Sequence, residues 1–229
     1  MKYSCLTVFA CLLLLARPVF ASPGYGTMIP EKNRIFMGLA HYLVQGKSLG
    51  SNLGSVHSHQ NYLTLSYGIT DWFSLDLKAS LHGTFSHTSG AGDRLEYKIP
   101  VWGGGYGFRL QACESGAWRV VTGFQHFSIH PKAIEVNGEK SKGILEDWQG
   151  SALISYGLKR VTPYAGVRYT VMDYIHRRND QRKMIKFDED RRAGIITGLD
   201  IPLNDNVWIN LESDWQDGGS AAAGVYYRF

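Results

Sequence analysis

Beyond its first 21 residues, the chain has no stretch approaching the ~18 consecutive apolar residues that a membrane-spanning helix needs. That argues against a helical membrane protein. Cysteine is scarce. Of three, Cys5 and Cys11 fall in the first 21 residues, and Cys113 is left alone, so an exported chain has no internal disulfide. Charge of one sign is also missing: 24 Lys and Arg stand against 20 Asp and Glu, for a net +4. Removing residues 1–21 takes Lys2 and Arg17 and no acid, which lowers the net charge to +2. A near-balanced chain argues for no nucleic-acid partner. No phosphate-cradling glycine loop, zinc-protease helix or dinucleotide fingerprint is found, so no cofactor is expected and no enzyme class is marked.

What is present begins with a leader. "MKYSCLTVFACLLLLARPVFA" has a charged start at Lys2, an apolar run of ten from Leu6 to Leu15, and a small-x-small site at Val19-Phe20-Ala21. Such a run is too short to span a bilayer and reads as a secretory signal peptide over 1–21. Residues 22–229 are then one domain.

That domain alternates. In "WFSLDLKASLHGTF" (72–85), Phe73, Leu75, Leu77, Ala79, Leu81 and Phe85 take one parity, and Ser74, Asp76, Lys78, Ser80, His82 and Thr84 the other. A strand places successive side chains on opposite faces, so each such run has one apolar and one polar surface. The pattern recurs over 34–45, 59–69, 95–111, 116–129, 147–158, 161–175, 192–203, 205–216 and 219–229, which makes ten strands. In 95–111 the apolar parity changes across Gly103-Gly104-Gly105, which suggests a bulge there. Short connections near 69–71, 112–117, 159–163 and 203–206 alternate with longer polar ones at 46–58, 86–94, 130–146 and 176–191, and with an intermediate one at 213–220. Aromatics gather near strand ends. Trp72, Phe73, Trp118, Tyr164, Tyr227 and Phe229 mark the short-turn side, and Phe85, Tyr97, Trp148, Tyr174 and Trp215 the long-loop side. Long alternating strands, short turns on one side and two aromatic belts predict an all-β fold: a transmembrane antiparallel up-and-down barrel of about ten strands.

The ending "GVYYRF", with Val225, Tyr227 and Phe229 at alternate positions, resembles the C-terminal signal strand of bacterial outer-membrane β-barrel proteins. That resemblance implies an outer-membrane location and recognition by the barrel-assembly machinery through this strand. It names a class and no family within it. "GFQHFSIHP" (123–131) carries a local similarity to the lipid A 3-O-deacylases, in which a His-x-Ser pair is catalytic. It would make His126 the base and Ser128 the nucleophile, facing lipid near the outer surface. The acid would come from Glu135, Glu139 or Glu146. The chain departs from that family at Ile129, where the family has Asn, and in strand number, ten against eight.

Strand phase points Asp76, Lys78, Arg109, Arg119, Arg168, Asp200, Glu212, Asp214 and Arg228 into the lumen. Both signs are present, so the groups can either pair and fill a narrow tube or line a narrow channel. His57 and His59 fall on one side of an extended segment and are the only metal-ligand candidates. The basic loop "HRRNDQRKMIKFDEDRR" (176–192) offers Arg177, Arg178, Arg182 and Lys183 to the phosphates of lipopolysaccharide. Three functions remain open: porin-like passage of small polar solutes or ions, placed first; a closed structural barrel binding lipopolysaccharide or a partner through its outer loops; and a lipid A deacylase-like hydrolase. Outer-membrane lipid, lipopolysaccharide and the assembly machinery are the expected partners, and nothing fixes an oligomeric state.

Overall fold

The computed structural model describes residues 26–49, 53–99, 103–179, 181–186, 192–216 and 218–229. The leader expected over 1–21 lies outside them. The described residues hold strands and turns and no helix. In chain order the strands are β1 (Ile35–Leu49), β2 (Gly54–Thr70), β3 (Phe73–Thr88), β4 (Arg94–Ile99), β5 (Gly103–Ser115), β6 (Trp118–Ile129), β7 (Ile134–Val136), β8 (Glu139–Tyr156), β9 (Thr162–Arg178), β10 (Gln181–Lys186), β11 (Ala193–Pro202), β12 (Val207–Gln216) and β13 (Gly218–Arg228).

Every pairing is antiparallel, and the sheet closes because β13 pairs β1 while β8 pairs β9. β4 and β5 lie end to end along β3, and β10 and β11 along β9, so the barrel has ten strands. β7 only extends the β6–β8 connection. Among the described residues only β4, β7 and β10, toward the long loops, pair on one side alone; the wall below them has no open edge, which a bilayer would not tolerate.

The wall is inside out relative to a soluble protein. Leu39, Leu77, Val167 and Ile195 are 58%, 54%, 61% and 55% exposed, while Asp76, Arg168 and Asp214 are at most 2% exposed. Apolar side chains face outward and charged ones inward, which is the surface of a membrane barrel. Aromatic rings stand at both rims of that surface, with Trp72, Trp118, Tyr156 and Tyr227 at the short turns and Tyr106, Trp148 and Tyr169 toward the long loops.

Two expectations about facing are corrected. The phase change is in β3 rather than at Gly103–Gly105. Asn61 pairs His82 and Tyr62 pairs Ser80, so Leu81 is the extra residue. Along β4 and β5, positions 97, 107 and 109 are all buried and 96, 98, 106 and 108 exposed, with no switch between the two strands. Phe85, Tyr97, Tyr164 and Tyr174 therefore belong to the interior, at 1% exposure or less, and not to the aromatic belts. The tyrosines have room because glycines face them. A Cβ at Gly198 would stand 2.2 Å from the Tyr164 ring, and one at Gly38 2.3 Å from the Tyr226 ring. The intermediate connection at 213–220 is also shorter than expected, since Ser213 pairs Ala221 and Gln216 pairs Gly218 in a tight hairpin.

Candidate functional site

The interior is filled in layers. At the short-turn end Phe36 meets Trp208 edge-on at 4.7 Å, Trp208 stacks on Tyr226 at 5.2 Å, and Met28 packs against them. Met28 belongs to a segment that precedes β1 and enters the barrel mouth. Arg109 Nη1 donates to the Met28 carbonyl at 2.6 Å, and Thr27 N–H donates to Asp200 Oδ2 at 3.3 Å. Arg109 also grips Asp76 with two hydrogen bonds and Ser66 Oγ with a third at 3.1 Å. Beside it, Asn210 Nδ2 donates to Asp200 and to Tyr164 Oη, and Tyr164 O–H donates to Glu212 at 2.9 Å.

The next layer toward the long loops holds the Arg168–Asp214 ion pair and the Lys78 Nζ–Gln125 Oε1 bond at 2.7 Å. Above it lies a layer in which Tyr62 meets Phe127 edge-on at 4.9 Å, among Tyr42, Val44, Ile129, Leu145 and Met172, with buried Lys47, Gln60 and Asp147 lining the same level. The cavity at this level has a volume of about 10 Å³, room for about one water. Nearest the long loops, Tyr174 lies tilted against Phe85 at 5.8 Å, and Ser141 Oγ lies 3.0 Å from Tyr97 Oη and 2.8 Å from His176 Nε2.

Thus Asp76, Lys78, Arg109, Arg168, Asp200, Glu212 and Asp214 are buried within the barrel. Arg119 and Arg228 instead stand half-buried at the short-turn rim. Arg119 pairs with Glu114 at 3.0 Å, and the Arg228 guanidinium lies 5.3 Å from the Phe36 ring centroid. The Arg119 pair holds the Glu114 carboxyl below the usual carboxylate range, first through its hydrogen bond and then through its charge.

Outside the barrel, His126 and Ser128 lie on the outward face of β6. The two are not brought into one hydrogen-bonded pair. The His126 ring stacks on Trp148 at 3.8 Å and meets Tyr106 edge-on at 5.4 Å, while Ser128 Oγ bonds His130 Nε2 at 2.9 Å. Glu146 is the cross-strand neighbour of Ser128. His57 and His59 do not converge. The His57 Nδ1 accepts from Gly46 N–H at 3.0 Å, and the His59 ring lies 6.3 Å from that of His41. Among the described residues no group of three or more His, Cys, Asp or Glu is placed to hold a metal.

The basic hairpin is built on β9 and β10. Arg177 is exposed and lies between Lys142 of β8 and Arg182 of β10 in the register, while Lys183 pairs with His176. Arg178 is an ion-pair partner of Glu139. In β13, Val225, Tyr227 and Phe229 face outward, and Phe229 N–H donates to the Ile35 carbonyl at 2.9 Å.

Sequence reasoning missed the Gly26–Pro30 segment and the aromatic interior. Glycines inside the alternating runs were the available signal for the second, since Gly38 and Gly198 make way for rings. Nothing in the residues themselves marked the first.

No family model and no curated protein matches the chain. Among solved structures, it is similar to an outer-membrane channel of Pseudomonas putida F1 at 10% identity and a TM-score of 0.47, over 92% of this chain and 100% of the other. The translocator domain of the autotransporter NalP of Neisseria meningitidis shares 12% identity, with a TM-score of 0.45 over 86% and 88% of the two chains. Outer Membrane Protein W of Escherichia coli shares 15%, with a TM-score of 0.44 over 87% and 99%. At these levels the likeness is one of general barrel architecture. The chain's own closed wall, apolar outside and charged inside, makes it a β-barrel of the bacterial outer membrane.

Proposed function

We propose that the protein is a closed barrel that works at its outer surface, by binding lipopolysaccharide. The observation that carries this reading is the filled interior. From Met28 to Tyr174 each level of the lumen holds packed rings or ion pairs. Ten strands enclose a narrow space, and opposed charges in it pair rather than line a water path. Passage of solutes, the first reading of the sequence, would require most of these layers to move aside. On the long-loop side, exposed basic residues of β8 and β9 stand beyond the outer aromatic rim. Lipopolysaccharide offers phosphates at that height, and cations on a membrane protein's rim attract them.

The test is retention of lipopolysaccharide by the refolded barrel (22–229) in zwitterionic micelles. Saturable binding that weakens as salt is raised is expected. Binding no stronger than that of phosphatidylcholine would remove the reading.

A further inference from the structure

Above the outer rim the three strands β8, β9 and β10 form one ladder. Lys142 of β8 is paired with Arg177 of β9, and Arg182 of β10 is the next residue in the same row. Residues directly opposite in neighbouring antiparallel strands project from the same face, with Cβ atoms about 4.5–5.5 Å apart, and like charges so placed are unfavourable. The Lys142–Arg177 pair of like charges therefore works against the ladder that carries it. The next outward row down is Ile144 paired to Ile175, both buried, and the one below it has the opposite sign, with Glu146 paired to Asp173. Beneath that, Trp148 pairs with Val171 and carries the stacked His126 ring and, beyond it, Tyr106. The outer wall is thus sorted by height into an aromatic shelf, an acidic row, a buried isoleucine row and a basic row.

His130 stands at the edge of this arrangement. Its Nε2 is bonded to Ser128 Oγ, and it is exposed to solvent. Burial lowers its proton affinity first, the Lys142 charge lowers it further and Arg177 adds to that, while Glu146 opposes them. The imidazole thus senses the field of the basic row directly.

We infer that the Lys142–Arg177 row, with His130 at its edge, is the site at which the barrel holds the phosphate of an outer-leaflet phosphorylated glycolipid. This rests on the lipopolysaccharide reading above and gives it a place. The ligand is amphiphilic, and so is the surface. Acyl chains lie along Tyr106, Trp148 and Tyr169, which are 50%, 39% and 52% exposed. The anionic headgroup reaches the cations, which lie about six residues, or ~20 Å of strand, beyond Trp148 and less than that in height because barrel strands tilt. The phosphate removes the like-charge penalty of the row, and the acidic row keeps it from settling lower. Arg178, although next in sequence, is excluded because Glu139 occupies it.

The experiment uses the refolded barrel (22–229) in zwitterionic micelles, titrated with lipopolysaccharide and, separately, with inorganic phosphate. Binding and the His130 ring signals in NMR are both followed. Lys142→Gln with Arg177→Gln is compared with Lys159→Gln, which removes a cation from the short-turn side. Each variant must keep heat-modifiable mobility on gels, the sign of a folded barrel. The expected result is a weakening of lipopolysaccharide binding by about tenfold or more in the double variant, as for the loss of charge-assisted bonds, with Lys159→Gln unchanged. Lipopolysaccharide should also raise the pH midpoint of His130 in the parent protein and not in the double variant. Unchanged lipopolysaccharide affinity in the double variant overturns the site and leaves the general reading standing. No lipopolysaccharide binding by the parent overturns both. Inorganic phosphate reproducing the His130 shift at similar concentration overturns the glycolipid as the source.

Discussion

Arg109 holds Asp76 with two parallel bonds, Nε to Oδ2 at 3.0 Å and Nη2 to Oδ1 at 2.8 Å, and neither side chain is more than 5% exposed. The remaining arm of the guanidinium holds the Met28 carbonyl. One side chain thus ties two strands of the wall to the segment in the mouth. Arg109→Leu leaves Asp76 buried without its cation, and removing one partner of a buried pair costs about 3–5 kcal/mol. The double variant Arg109→Leu, Asp76→Leu should recover much of that loss, because no lone charge remains. Urea unfolding of the refolded barrel measures both. Equal stability of the single variant and the parent would show that the pair does not hold the mouth together.

The mouth segment makes its own prediction. Gly68 lies against it so closely that a Cβ would stand 2.0 Å from the Glu31 carbonyl oxygen, and the contact is with backbone that cannot rotate away. Asn33 N–H also donates to the Gly68 carbonyl at 2.8 Å, and Gly68 N–H to the Arg34 carbonyl at 3.0 Å. Gly68→Ala should therefore push residues 26–31 outward while the β1–β2 ladder above persists. Limited proteolysis should cut this segment several-fold faster in the variant, with the rest of the barrel still resistant. An unchanged cleavage rate would mean that the segment is not seated against β2.

The sequence displayed the wall better than its contents, for a physical reason. Alternation records which face of a strand meets lipid, and Phe73, Leu75 and Leu77 in β3 or Val167 and Tyr169 in β9 could be assigned from period two alone. Assigning every apolar residue to the lipid face works only where the interior is polar. Toward the long loops the interior is itself aromatic, so Phe85, Tyr97 and Tyr174 point inward although they are apolar. The single-residue shift at Leu81 depends on pairing with β2 and leaves no mark in composition. Ser128 was legible as an outward serine beside two histidines. Which ring it bonds, His130 and not His126, depends on Trp148 of β8 capturing the His126 ring.

The Ser128–His130 pair bears on catalysis. A serine bonded to an imidazole can be activated as a nucleophile, and Glu146 is its cross-strand neighbour. In the lipopolysaccharide-binding reading Ser128 only orients the His130 ring. The expected outcome is that lipopolysaccharide incubated with the barrel releases no fatty acid, and that Ser128→Ala behaves identically. Mass spectrometry of the lipid detects such release. Fatty acid set free by the parent and not by Ser128→Ala would replace a binding barrel with an acyl-ester hydrolase whose base is His130.

Conductance addresses the lumen directly. The Arg168–Asp214 layer and the Tyr62–Phe127 layer lie in series, so a path exists only where both are absent. The refolded barrel should be silent in a planar bilayer in concentrated potassium chloride, and Glu212→Gln should be silent as well. Tyr62→Ala with Phe127→Ala removes the rings, at roughly 3–5 kcal/mol for a large buried ring reduced to alanine, yet the ionic layer still closes the tube. That variant should be less stable in urea and equally silent. Its combination with Arg168→Ala and Asp214→Ala should stay silent too, because the Arg109–Asp76 layer and the Phe36, Trp208 and Tyr226 rings at the mouth still close the tube. Steps in the parent protein, altered in size by Glu212→Gln, would mean that the layers part in the membrane, and they would restore porin-like passage as the function.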